Sequence, residues 1–145
     1  MKAVIQRVLN AAVSVDCKTV GEIEKGYMSL LGVAAADTPE KCRALAAKIS
    51  KLRIFADENG KTNLSISDVG GRILVVSQFT LFADCSHGNR PSFFDAAPPE
   101  LANSLYERFC DELSALGHTP EKGVFGADMK IKMTADGPFT VMLEI

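Results

Sequence analysis

Residues 2–15 impose the strongest constraint on what this chain can become. Val4, Gln6 and Val8 alternate with Ile5, Arg7 and Leu9, and Ala11, Val13 and Val15 then fall on one face. A period of two marks a β-strand with one buried side. Fully extended, such a stretch would run about 45 Å, so in a small domain it has to bend or bulge midway. It also needs partner strands along its length. Asp16-Cys17-Lys18 has turn chemistry, and Val20 to Glu24 reads as a return strand. After Gly26, the continuous apolar run from Tyr27 to Val33 reads as a buried strand.

Two helices are written just as clearly. Asp37 or Thr38 can cap the first, Pro39 suits its first turn, and Glu40 suits the positive end of its dipole. Cys42, Leu45, Ala46, Ile49 and Leu52 then recur at steps of three and four. Lys41, Arg43, Lys48 and Lys51 lie mostly off that stripe and read as a solvated face rather than an RNA patch. The second helix runs from Pro98 to about Leu116 on the stripe Leu101, Ala102, Leu105, Phe109 and Leu113, and Gly117 stops it.

Asp57 to Lys61 and Gly70-Gly71 are turns, flanking a short strand from Asn63 to Ile66. Ile73 to Val76 is strongly apolar and runs directly into Ser77-Gln78-Phe79-Thr80-Leu81. Residues 84–97 form a polar loop. The last segment reads as a hairpin: Met129, Ile131 and Met133 alternate with Lys130, Lys132 and Thr134, and the chain returns as Phe139 to Ile145 after Ala135-Asp136-Gly137-Pro138. The sum is one α+β domain over residues 1–145. Its sheet is mainly antiparallel and barrel-like, with two helices on one side.

The chain has 145 residues, of which 47% are hydrophobic and 23% charged, enough for one well-buried core. The apolar run Tyr27 to Ala36, broken by Ser29 and Gly32, is too short to cross a bilayer. The start, MKAVIQRV, has no apolar stretch of signal-peptide length, so the expected location is the cytoplasm. Cys17, Cys42, Cys85 and Cys110 are far apart, with no histidine at ligand spacing, so free thiols and no metal are expected. A net charge of −2 and an isoelectric point near 5.7 argue against gripping long stretches of phosphate backbone. They leave room for contact with the end of an RNA.

No nucleophile elbow, phosphate loop or metalloprotease motif is present, and the two histidines, His87 and His118, sit in polar loops. Two segments stand apart from scaffold. At Ser77-Gln78-Phe79-Thr80 an apolar strand gains three hydrogen-bonding side chains, which is either a solvated strand end or a functional one. Gly137-Pro138 is either a simple tight turn or a main-chain feature held for a purpose.

Taken together, these segments resemble the D-aminoacyl-tRNA deacylase family. The likeness runs through MKAVIQRV, KISKLRIFADENGK, NLSISDVGG, LVVSQFTLFAD, RPSFFDAAPPE, FGADMKIKM and DGPFT, nearly the whole chain. The resemblance implies a cofactor-free homodimer whose substrate is the 3′-terminal adenosine of tRNA carrying a D-aminoacyl group. It also implies a cis Gly137-Pro138 bond that reaches into the partner's pocket and crowds out L-aminoacyl esters, with Arg7 orienting that motif. Glycine has no Cβ, so glycyl-tRNA would pass the same filter. Ser77, Gln78, Phe79 and Thr80 map to the pocket floor. The Phe79 backbone N–H and the Gln78 amide are candidate donors to the oxyanion of ester hydrolysis. Thr80 is either a nucleophile, for which no base is evident, or a positioning group for a water assisted by the terminal ribose hydroxyl. Met129 maps to the adenosine, and Lys130 and Lys132 to phosphate contacts. Phe139 departs from the family, which usually has valine there. Two other functions stay open: a non-catalytic module binding RNA ends, and a Thr80-dependent esterase of small molecules.

Overall fold

A computed structural model describes residues 1–145. The alternating N-terminal stretch forms β1, Lys2–Val15, and every other element takes its place from that strand. Hairpin turn Asp16-Cys17, with both φ angles positive, leads to β2, Lys18–Ile23, and then comes β3, Gly26–Gly32. The inner half of β1 pairs with β3 and its outer half with β2, both antiparallel. The bend expected midway is present, since the pairing of β1 with the last strand shifts register between Gln6 and Val8 and again between Val8 and Asn10. These shifts change what the strand buries. Ala3 and Ile5 pack under the helices, whereas Val8, Ala11 and Val13 join a second cluster on the opposite face of the sheet.

Both helices form where the apolar period predicts: α1, Pro39–Ser50, and α2, Pro99–Ala115. Thr38 occupies the α1 N-cap position without a side-chain bond to it. Gly117, at φ 88°, lets the chain leave α2. The helices pack on each other and on one face of the sheet, enclosing Tyr27, Leu31, Leu45, Ile49, Phe55, Ile73, Phe109 and Leu113. Each fully buried side chain of this kind contributes about 1.5–3 kcal/mol. Tyr106 on α2 donates its hydroxyl to Val75 O at 2.9 Å, fastening the helix to the sheet.

Short strands β4, Arg53–Ala56, and β5, Thr62–Ser65, pair apart from the main sheet. The sheet itself is mixed: β6, Arg72–Ser77, runs parallel to β3, and the two-residue β7, Glu121–Lys122, runs parallel to β6. Beyond β7 the sheet curls back towards β2. A Cβ on Gly21 of β2 would lie 2.7 Å from Lys122 O of β7, so the barrel is nearly closed. Gly26 is required by a still closer approach, since its Cβ would sit 1.8 Å from Arg72 O.

The C-terminal segment is not a hairpin. Lys130–Glu144 is one strand, β8, antiparallel to β1 from Ser14↔Lys130 to Lys2↔Glu144. Because β1 is long enough to template both halves, Asp136 to Phe139 bulge out of a continuous ladder instead of reversing the chain. A bulge is also where a strand tolerates a proline, which has no N–H to give.

Candidate functional site

Strand β6 ends at Ser77, and the next residues leave the ladder. Gln78 N–H donates to Leu31 O at 2.8 Å, continuing the parallel register by one bond. Phe79–Phe82 then wind into a single 3₁₀ turn. Ser77 to Leu81, read from the sequence as a continuing strand, is therefore a strand end followed by a helical turn. The backbone N–H groups of Phe79 and Thr80, at the start of that turn, donate to no backbone carbonyl. Ser77 and Gln78 are half-buried, and Phe79 and Thr80 are exposed.

A cavity of about 630 Å³ opens beside this turn. Ser77, Gln78 and Phe79 form part of its wall. Ala102 and Tyr106 of α2 contribute another part, and the segment before and into β8 supplies Phe125 to Met129 and Ile131. Phe93 closes one side, with its ring edge-on to Phe79 at 4.9 Å between centroids. Apolar walls with a few polar groups at one end suit an aromatic or nucleoside ligand of this size. Burial of Tyr106 pushes its phenol well above the ordinary range, so it stays a neutral hydroxyl.

Thr80 does not line the cavity. Its Oγ1 accepts a hydrogen bond from Gln78 Nε2, and no histidine or carboxylate bonds to it. Of the histidines, His118 meets Ser67 Oγ at 3.3 Å and His87 lies in the exposed 84–94 loop. No three His, Cys, Asp or Glu side chains converge as metal ligands would. Met129 lines the cavity, while Lys130 and Lys132 are exposed on β8 and do not line it. Lys130 is paired with Asp128 at 2.7 Å, and Lys132 has no ion pair.

The Gly137–Pro138 peptide is cis, and Gly137 has φ 121°, where a side chain would be strained. Around it sits a compact set of anchors. Arg7 Nε meets Asp136 Oδ2 at 2.9 Å and Asp136 O at 3.2 Å, and Arg7 Nη1 donates to Ile54 O. The same guanidinium lies over the Phe139 ring, 4.9 Å from its centroid. Gln6 donates through Nε2 to Phe139 O at 3.2 Å, and its Oε1 accepts a hydrogen bond from Thr140 Oγ1. The resemblance implies such a role for Arg7 and none for Gln6. Its one visible signal is a polar residue that ends up buried on a strand.

The Gly-Pro bulge and the cavity do not meet within one chain, and neither Gly137 nor Pro138 lines the cavity. Arg7 pairs with Tyr27, and Tyr27 with Ile73. Measured along the sheet, the Gly-Pro bulge is three strand spacings, about 14 Å, from β6, and Ser77 lies about 13 Å further along it. Gly137 and Pro138 are exposed and face outward.

A near-closed α+β barrel with a nucleoside-sized cavity beside unsatisfied backbone donors defines a small enzyme or RNA-end-binding protein, and the comparisons choose between these. The family model for D-Tyr-tRNA(Tyr) deacylase matches residues 4–144, and the chain belongs to that family. It is 54% identical over 145 residues to a D-aminoacyl-tRNA deacylase of Lactobacillus delbrueckii subsp. bulgaricus, covering 100% of both chains. It is likewise 54% identical over 144 residues to that of Desulfatibacillum aliphaticivorans, covering 99% of each. Among solved structures it is similar to a c-Myc DNA unwinding element binding protein, with TM-score 0.93 and 40% identity over 100% of this chain and 99% of the other. The fold also matches a probable eukaryotic D-amino acid tRNA deacylase, with TM-score 0.87 at 19% identity over 99% of this chain and 98% of that one. The protein is thus a hydrolase of carboxylic esters that releases D-amino acids from D-aminoacyl-tRNA, a proofreading step of translation.

Proposed function

We propose that the protein works as a homodimer, in which the Gly137-Pro138 bulge of one subunit completes the cavity of the other and rejects L-aminoacyl esters. The observation that carries this is the separation of the two halves: an anchored, outward-facing main-chain motif and a cavity it cannot reach in its own chain. A filter made of main chain is indifferent to side-chain identity, so one site serves many D-amino acids. Glycyl-tRNA, without a Cβ, passes the same filter and is hydrolysed as well. The terminal adenosine occupies the cavity near Met129, and the carbonyl of the ester lies against the free N–H groups at Phe79 and Thr80, which take up the developing negative charge. The Gln78 amide, bonded to Thr80, holds that hydroxyl in place. Thr80 then positions the substrate, and water is the nucleophile. Lys132, unpaired, is the better phosphate contact of the two lysines. Residues 1–145 act as one domain, without a cofactor, in the cytoplasm where aminoacyl-tRNA is made.

The decisive experiment compares hydrolysis of D-tyrosyl-tRNA and L-tyrosyl-tRNA by the wild type and Thr80→Ala. The expected result is rapid loss of the D-ester alone, with activity in the variant reduced by about tenfold or less. Loss of activity to the uncatalysed rate in a folded Thr80→Ala protein would instead make Thr80 the nucleophile. Elution as a monomer under assay conditions would end the shared-site reading.

A further inference from the structure

Phe94 is 93% exposed, the most exposed of the large apolar side chains. Its position is unusual for such a residue. Phe93, one step back in the chain, lines the cavity and packs edge-on against Phe79, itself 56% exposed. Phe94 thus stands just outside the cavity mouth, next to a ring that forms its rim. The segment presenting it is fastened on both sides. Asp84 and Ser92 exchange two backbone hydrogen bonds of 2.7 and 2.9 Å, Ala96 N–H returns to Phe93 O at 3.1 Å, and Ala97 N–H donates to Val33 O at 2.9 Å. The only Lys or Arg in this loop, Arg90, is exposed and makes no ion pair.

We infer that Phe94 is a stacking platform for the unpaired nucleotide that precedes the terminal adenosine of the substrate. This rests on the reading that the terminal nucleoside sits in the cavity. With the adenosine inside, the RNA strand has to leave across the mouth, and its next base emerges beside Phe93 and Phe94. Single-stranded bases stack on exposed aromatic rings with little regard to sequence. Arg90 supplies a cation for the phosphate between the two nucleotides. The acidic chain as a whole is no obstacle, because only a short stretch of RNA is touched.

The test compares two esters, D-tyrosyl-adenosine and the D-tyrosyl ester of the trinucleotide cytidylyl-cytidylyl-adenosine. Wild type is expected to show a lower KM for the trinucleotide. Phe94→Ala should raise that KM by about five- to a hundredfold, leave KM for the nucleoside ester and both kcat values unchanged, and be rescued by Phe94→Trp. Equal KM values for the two esters in the wild type would overturn the inference. So would an equal rise for both esters in Phe94→Ala, or a change in oligomeric state showing that a second copy covers the ring. Calorimetric binding of the uncharged trinucleotide makes the same comparison without hydrolysis. Failure to cut either ester would therefore sink the reading of the cavity, while the Phe94 comparison would still be decided.

Discussion

Ser29 lies at the centre of β3 with no exposed surface, and its hydroxyl has no hydrogen-bond partner. Leaving a buried hydroxyl unsatisfied costs about 1–3 kcal/mol. Ser29→Ala removes the unmet group and one small atom from a tightly packed strand. The expected outcome is a more stable protein, by about 1 kcal/mol, seen as a higher urea midpoint at unchanged m-value. A lower midpoint would mean that the hydroxyl has a partner in solution. Elsewhere at this scale, the sequence exposes chemistry unevenly. Ser77 to Thr80 stood out because polar side chains follow four apolar residues. Nothing in the sequence shows that Thr80 stands beside the cavity wall rather than in it, since the 3₁₀ turn that carries it is a backbone event after the strand's last bond. Gln6 was invisible for a related reason: its value lies in a carbonyl 133 positions away, at Phe139.

The elements divide by how local their cause is. Helices α1 and α2 were legible because a 3.6-residue stripe and a proline near each start are carried within the segment. Strand β7 was not, because two residues hold no pattern and exist only where β6 offers an edge. The supposed hairpin failed for the same reason in reverse. A Gly-Pro between two alternating stretches is locally indistinguishable from a turn, and only the length of β1 makes it a bulge. That bulge carries an expectation of its own. Phe139 gives Arg7 a ring to lie on, but Asp136 O and Phe139 O, both main chain, take hydrogen bonds from Arg7 and Gln6 regardless of the side chain at 139. Phe139→Val should therefore preserve the ratio of D- to L-tyrosyl-tRNA hydrolysis within about threefold, while weakening the anchor through loss of a cation–π contact of about 0.5–2 kcal/mol. A collapse of the ratio would show that the ring itself shapes the filter.

At the scale of the molecule, the ends of the chain meet at one buried charge. The Met1 ammonium is bonded to Asp37 Oδ1 at 2.8 Å and to Ile145 O at 2.7 Å, and Ile145 N–H returns to Met1 O at 3.0 Å. Asp37 also accepts from Ala34 N–H and from Lys41 of α1, so β1, β8 and the first helix are tied at one point. Burial alone would raise the Asp37 carboxyl. The ammonium, the Ala34 N–H and Lys41 outweigh it, and the carboxyl falls below its ordinary value of 3.8. A depressed acid stabilises the fold fully above its unfolded value, and that stabilisation is lost as pH falls through the lower folded value. Asp37 should therefore steepen the fall of Tm as pH drops below its ordinary value of 3.8. Asp37→Asn is expected to lower Tm at neutral pH, because the buried ammonium loses its counter-charge, a change that typically costs about 3–5 kcal/mol. The variant should also show a shallower acid limb than wild type, and parallel limbs would mean that other carboxylates govern acid unfolding. Because the knot joins the strand that carries the Gly-Pro bulge to the strand that carries Arg7, its loosening should also lower D/L discrimination.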